Sequence, residues 1–151
     1  MKKYKIGFTC GVFDLLHIGH LNLLEKCKSM WDYLIVGVCN DEYVLNVKNK
    51  TPIFTQEDRV RILKSLKCVD DAVLMSVEEV ADKLKFYNKI KFDVLFSGDD
   101  WKDSERYKKT EEQFKKYNIS IEWLPYTKGI STTDIKGKIY DTNNKWWNKK
   151  K

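Results

Sequence analysis

Five short apolar runs, separated by longer stretches with helical periodicity, constrain this chain more than any other feature. The runs fall at 5–10, 33–38, 72–75, 94–97 and 119–124 and are rich in branched and aromatic residues. Such runs read as strands. After the first, Leu21, Leu23, Leu24 and Cys27 mark one helix face. Val60, Ile62, Leu63 and Leu66 mark another, which starts at Thr55 with Thr55 as cap and Glu57 and Asp58 in the first turn. The periodicity predicts two more helices, over 77–87 and 104–117.

Strands that alternate with helices predict an α/β fold with a parallel five-stranded sheet covered on both faces, a Rossmann-like three-layer arrangement. In such sheets ligands bind beyond the carboxyl ends of the strands. The residues that attract notice fall there: 11–20 after the first strand, Asn40 and Asp41 after the second, Gly98, Asp99 and Asp100 after the fourth, and 127–133 after the fifth. Four segments that converge on one sheet edge describe a single site.

At 151 residues the chain is read as one domain, 1–139, with a basic tail at 140–151 that carries Trp146 and Trp147. No apolar stretch reaches the length of a membrane span, so no stable membrane insertion is expected. The first residues, Met1 to Lys5, lack an apolar signal region, which favours a cytoplasmic protein. The four cysteines form no Cys-x-x-Cys pair and read as reduced residues. The net charge of +6 admits a polyanionic partner, but no basic stripe interleaved with aromatics appears, and a nucleic-acid partner is not expected.

The chemistry concentrates in Gly11-Val12-Phe13-Asp14-Leu15-Leu16-His17-Ile18-Gly19-His20, which holds both histidines of the chain. Two imidazoles three residues apart at a helix start lie where phosphate is held. Two ordinary half-buried histidines are the plain alternative. A zinc site would need further ligands, and Cys10 is the only one nearby in sequence. A second anion site is written at Ser131, Thr132 and Thr133, whose hydroxyls and backbone N–H groups open the last helix.

The first run resembles the His-x-Gly-His signature of the nucleotidyltransferase superfamily. Gly129-Ile130-Ser131-Thr132-Thr133-Asp134-Ile135 resembles the second signature of its cytidylyltransferase branch. Phe96-Ser97-Gly98-Asp99-Asp100-Trp101 matches the segment between them. In pattern and size the chain is most similar to the bacterial glycerol-3-phosphate cytidylyltransferases. The resemblance implies transfer of CMP from CTP to a phosphate monoester, with Mg²⁺, in a homodimer that serves cell-surface polymers or lipids. It implies that His17, His20, Lys48 and Lys50 act in catalysis. Cys10, Gly11, Val12, Phe13, Asp14, Gly19, Asp41, Arg59, Asp99 and the Ser131–Thr133 segment would bind the nucleotide. Lys50, Trp101, Tyr126 and Lys128 would bind the acceptor.

The family pattern is broken at two places. Tyr126 and Lys128 stand where arginine and glutamate are usual, and Lys67 stands where an arginine is common. These changes leave the acceptor open among glycerol 3-phosphate, phosphocholine, phosphoethanolamine and others. An adenylyltransferase that shares the first motif is the nearest alternative. The Ile-Ser-Thr-Thr segment speaks for CTP.

Overall fold

The computed structural model describes residues 4–99, 102–125 and 127–142. Five parallel strands run in the order β3-β2-β1-β4-β5. They are β1 (Tyr4–Gly11), β2 (Trp31–Cys39), β3 (Asp71–Met75), β4 (Val94–Gly98) and β5 (Ser120–Leu124). The chain winds outward from β1 through β2 to β3. It then returns to the other side of β1 for β4 and β5, so the direction reverses between β1 and β4. Neighbouring carboxyl ends diverge there and leave a crevice.

The helices are α1 (Ile18–Met30), α2 (Asp41–Asn46), α3 (Gln56–Lys64), α4 (Val77–Ala81), α5 (Lys83–Lys89), α6 (Glu105–Lys115) and α7 (Thr132–Thr142). Alternate residues of the strands feed two cores. Leu34, Val36 and Val38 join Leu24, Cys27 and Leu63 on the α1 and α3 face. Ile35 and Cys39 join Phe8, Val80, Phe86, Tyr107 and Phe114 on the face covered by α4, α5 and α6. The expected three-layer fold is therefore present.

Two local details depart from the sequence expectation. The helix expected over 77–87 is two helices. Asp82 takes an extended conformation between them, closes α4 with its backbone N–H to Glu78 O, and caps α5 by accepting from Leu84 N. An aspartate's readiness to bond nearby backbone competes with helix continuation. The short α2 was not expected. Asn40 starts it by accepting from Tyr43 N.

Trp31 is fully buried at the start of β2 and covers the backbone of β1 at Gly7. A Cβ on Gly7 would lie 1.7 Å from Trp31 Cδ2, so only glycine fits. Gly7→Ala is expected to cost about 3 kcal/mol or more through overpacking. Urea unfolding would check this, and a loss under about 1 kcal/mol would contradict so close a contact.

Candidate active site

A cavity of about 530 Å³ opens at the crevice between β1 and β4. Its floor is the end of β1 (Thr9, Cys10 and Gly11) and the end of β4 (Ser97 and Gly98). One wall is the β1–α1 loop with His17, Gly19 and His20. Another is the start of α7 with Ser131, Thr132 and Thr133, and a third is the segment with Lys48, Lys50 and Thr51.

The two histidines build the start of α1 between them. His17 is the N-cap: its Nδ1 accepts from Gly19 N at 3.0 Å. His20 Nδ1 accepts from His17 N at 3.1 Å, closing a reciprocal capping box of two imidazoles. The rings lie 3.9 Å apart by centroid. A nitrogen that accepts an N–H carries no proton, so the ring proton of each neutral histidine is on Nε2. Burial lowers both pKa values, and for His20, with His17 beside it and Asp14 opposing, to about 4. The free protein at neutral pH therefore presents two uncharged Nε2–H donors. This differs from a charged imidazolium as the phosphate-binding group. Gly19 is required because a Cβ there would lie 2.8 Å from His17 Cε1.

Asp14 is buried and organises the loop from within. Its carboxylate accepts from Ile53 N at 2.7 Å, Phe54 N at 2.9 Å and Leu15 N at 3.1 Å. Its carbonyl accepts from Thr132 Oγ1 at 2.9 Å. Phe13 and Leu15 on either side are left-handed, with φ of 54° and 50°. The carboxylate thus holds a loop that side chains would otherwise leave. Ser131 Oγ caps α7 by accepting from Asp134 N, and the first N–H groups of α7 face no partner within the helix.

Of the residues named from sequence, Cys10, Gly11, Val12, Phe13, Asp14, His17, Gly19, His20, Lys48, Lys50, Ser131, Thr132 and Thr133 line the cavity. Asp41, Arg59, Asp99 and Lys128 are not among its lining residues. Arg59 is 1% exposed, and its guanidinium donates to Phe54 O, Val12 O, Cys39 O and the Asp41 carboxylate. With those four bonds it fastens the loops behind the site, and Asp41 is its ion-pair partner. Lys67 is exposed on the α3–β3 connection. Trp101 and Tyr126 lie outside the described residues, as does Asp100.

Several cavity residues were missed. Lys26 on α1 and Lys136 on α7 line the mouth, and Asn22 Nδ2 ties α1 to Thr127 Oγ1 at 3.2 Å. Tyr107 of α6 reaches the inner end, where its hydroxyl accepts from Ser97 Oγ at 3.0 Å. Behind it Lys83 is 2% exposed, with Nζ 5.0 Å from the Tyr107 ring centre and 3.1 Å from Val80 O. A lysine three and four residues before Phe86 and Tyr87 stands on the apolar face of α5, and that was the available signal. Burial, with Cys10 beside it, raises the Cys39 thiol to about 12, while Lys48, Lys83 and Arg59 oppose the rise.

A family model described as Cytidylyltransferase-like matches residues 8–138. The chain belongs to the cytidylyltransferase-like family. It is 37% identical to a glycerol-3-phosphate cytidylyltransferase of Bacillus subtilis over 132 residues, 87% of this chain and 94% of that protein. It is also 37% identical over 145 residues to a bifunctional protein HldE of Helicobacter pylori, covering 95% of this chain but 30% of that longer protein. Among solved structures, a lipopolysaccharide core biosynthesis protein of Thermoplasma volcanium superposes with a TM-score of 0.68 at 30% identity, over 84% of this chain and 99% of that one. On that membership the chain is a CTP-dependent nucleotidyltransferase, as its motifs imply.

Asp14→Asn tests the loop. An amide oxygen cannot accept all three N–H groups, and its NH₂ meets one of them. A loss of about 2–4 kcal/mol in unfolding free energy is expected. Weaker CTP binding should accompany it, although the carboxylate is spent on backbone. Unchanged stability by urea titration would contradict this role for Asp14.

Proposed function

We propose that this chain transfers CMP from CTP to the phosphate of a small phosphorylated alcohol, glycerol 3-phosphate before others, and releases pyrophosphate. An acceptor phosphate oxygen attacks the α-phosphorus, the bond from that phosphorus to the bridging oxygen of the β-phosphate breaks, and pyrophosphate leaves with those electrons. The acceptor is already an anion, so the protein's task is positioning and neutralisation of developing charge.

The observation that carries this reading is the composition of one cavity wall to wall. It brings together two imidazole Nε2–H donors, the start of α7, and Lys48 and Lys50. Asp14 is the only carboxylate among the described lining residues, and its oxygens are engaged with backbone N–H groups. Such a surface suits a triphosphate held between two helix starts. The histidines and α7 bind the nucleotide's phosphates. The acceptor phosphate takes the wall that carries Lys48 and Lys50.

No group of three metal-ligating side chains occurs among the described residues. With Asp14 engaged, Mg²⁺ fits here as part of the substrate, carried on the triphosphate oxygens with its own waters. No helix among the described residues is long and apolar enough to cross a membrane. We place the enzyme in the cytoplasm, where CTP is made, as a homodimer that supplies an activated head group for surface polymers.

The HldE relatives support a second reading, a nucleotidyltransferase of the same superfamily with a different nucleotide or acceptor. Pyrophosphate release from MgCTP or MgATP against a panel of phosphate monoesters separates the two. CTP with glycerol 3-phosphate should be the best pair, and His17→Ala should lower kcat about 10²–10³-fold. Turnover with ATP alone would overturn the choice of nucleotide. Turnover with CTP and another acceptor only would overturn the choice of glycerol 3-phosphate.

A further inference from the structure

We propose that Lys26 of α1, with Lys136 of α7 on the opposite wall of the cavity, binds the terminal phosphate of the nucleotide and so sets the preference of this site for a triphosphate over a diphosphate. The proposal rests on the function given above and concerns two residues that lie outside the three sequence motifs.

Both lysines continue a stripe that begins at a helix start. On α1 the lining residues are Gly19, His20, Asn22, Leu23 and Lys26, the three- and four-residue spacing of one helix face. On α7 Thr133 is followed three residues later by Lys136. The two walls are fastened to each other. Thr132 Oγ1 donates to Asp14 O at 2.9 Å. Ile130 covers Gly19, where an added Cβ would meet Ile130 Cγ2 at 3.4 Å. Asn22 Nδ2 donates to Thr127 Oγ1 at 3.2 Å, one turn of α1 before Lys26. Helical side chains lean toward the N-terminus of their helix, which brings each lysine stem back over the turn that holds the N–H donors.

Among the described residues neither lysine has an ion-pair partner. Glu25 and Asp134, the carboxylates nearest to them in sequence, do not line the cavity. Two ammonium groups on facing walls, with no counter-charge between them, select an anion. The acceptor attacks from the wall of Lys48 and Lys50, so the α-phosphorus lies toward that wall and the rest of the triphosphate runs outward between the helix starts. Its γ-phosphate is then the group that reaches Lys26 and Lys136, and a terminal phosphate carries about two negative charges at neutral pH. A diphosphate ends one phosphate short, at the helix starts, and gains nothing from the pair. Lysine suits this place because a point charge on a flexible stem can follow the pyrophosphate as it leaves.

The test is calorimetric binding of MgCTP and MgCDP, and of MgATP and MgADP, to the protein without acceptor. The wild type should bind the triphosphate of its preferred base more tightly than the diphosphate. Lys26→Gln should weaken the triphosphate about fivefold or more and change the diphosphate less than about twofold. Lys26→Arg should restore the preference, and Lys136→Gln should show a loss of the same kind. Lys109→Gln removes an exposed charge on α6 that does not line the cavity, and it should leave the preference intact. Lys26 is exposed, so melting curves without nucleotide should not change on its substitution. An unchanged ratio of triphosphate to diphosphate affinity in Lys26→Gln overturns the proposal. So does an equal loss for both, the mark of a general charge or structural effect, and so does a wild type that prefers neither triphosphate to its diphosphate. The Lys26 effect on the adenosine pair alone overturns CTP as the nucleotide and supports the clamp, whose contacts are to phosphate.

Discussion

The buried carboxylate of Asp14 is the contact on which the rest of the site depends. It collects three backbone N–H groups from two segments, at Leu15 and at Ile53 and Phe54, while its own carbonyl takes the hydroxyl of Thr132. Three loops that are far apart in sequence are thereby fixed around one residue. Arg59 repeats the device a layer below and ties Val12, Cys39 and Phe54 to Asp41. Both groups are ionised side chains spent on backbone, and charged acceptors and donors make the stronger hydrogen bonds. The return is rigidity where chemistry needs it. Phe13 and Leu15 hold left-handed backbone that neither would choose alone.

The electrostatics of the cavity follow from this arrangement. With Asp14 turned to backbone, the cavity is left with neutral imidazoles, helix starts and lysines. The histidines are uncharged because capping fixes their Nδ1 atoms as acceptors and burial opposes protonation. An incoming triphosphate changes that balance. Its negative charge favours protonation, so a proton can arrive with the nucleotide and be ready for the leaving pyrophosphate. Two of the cations lie on another wall, in the segment with Lys48, Lys50 and Thr51. Charge is thus divided between a neutral donor surface and a cationic wall, which suits a nucleotide triphosphate on one and a phosphate monoester on the other.

Much of the fold was legible because burial on both faces of a parallel sheet leaves short apolar runs that few other structures require. Five runs gave five strands, and Thr55 and Ser104 mark helix starts where the caps form. The break at Asp82 was not legible, since the periodicity of Val80, Leu84 and Tyr87 runs across it and only the cap chemistry interrupts it. In the site, adjacent residues were readable and convergent ones were not. The motif from Gly11 to His20 is continuous, and all of it but Leu15, Leu16 and Ile18 lines the cavity. Arg59 looked like a phosphate ligand because its residue type suits one, and only the tertiary structure shows four acceptors already around it. Tyr107 comes from α6, and no local pattern joins it to the β1–α1 loop.

The most direct check on the account is the protonation state and tautomer of His17 and His20 by ¹⁵N NMR of the imidazoles, without nucleotide and then with a non-reacting CTP analogue. In the free protein both rings should be neutral with the proton on Nε2, and His20 should stay so down to about pH 5. The analogue should shift the Nε2 signals of both rings as they bond to phosphate. A proton on Nδ1, or an imidazolium at neutral pH in the free protein, would contradict the reciprocal cap and the neutral donor surface built on it.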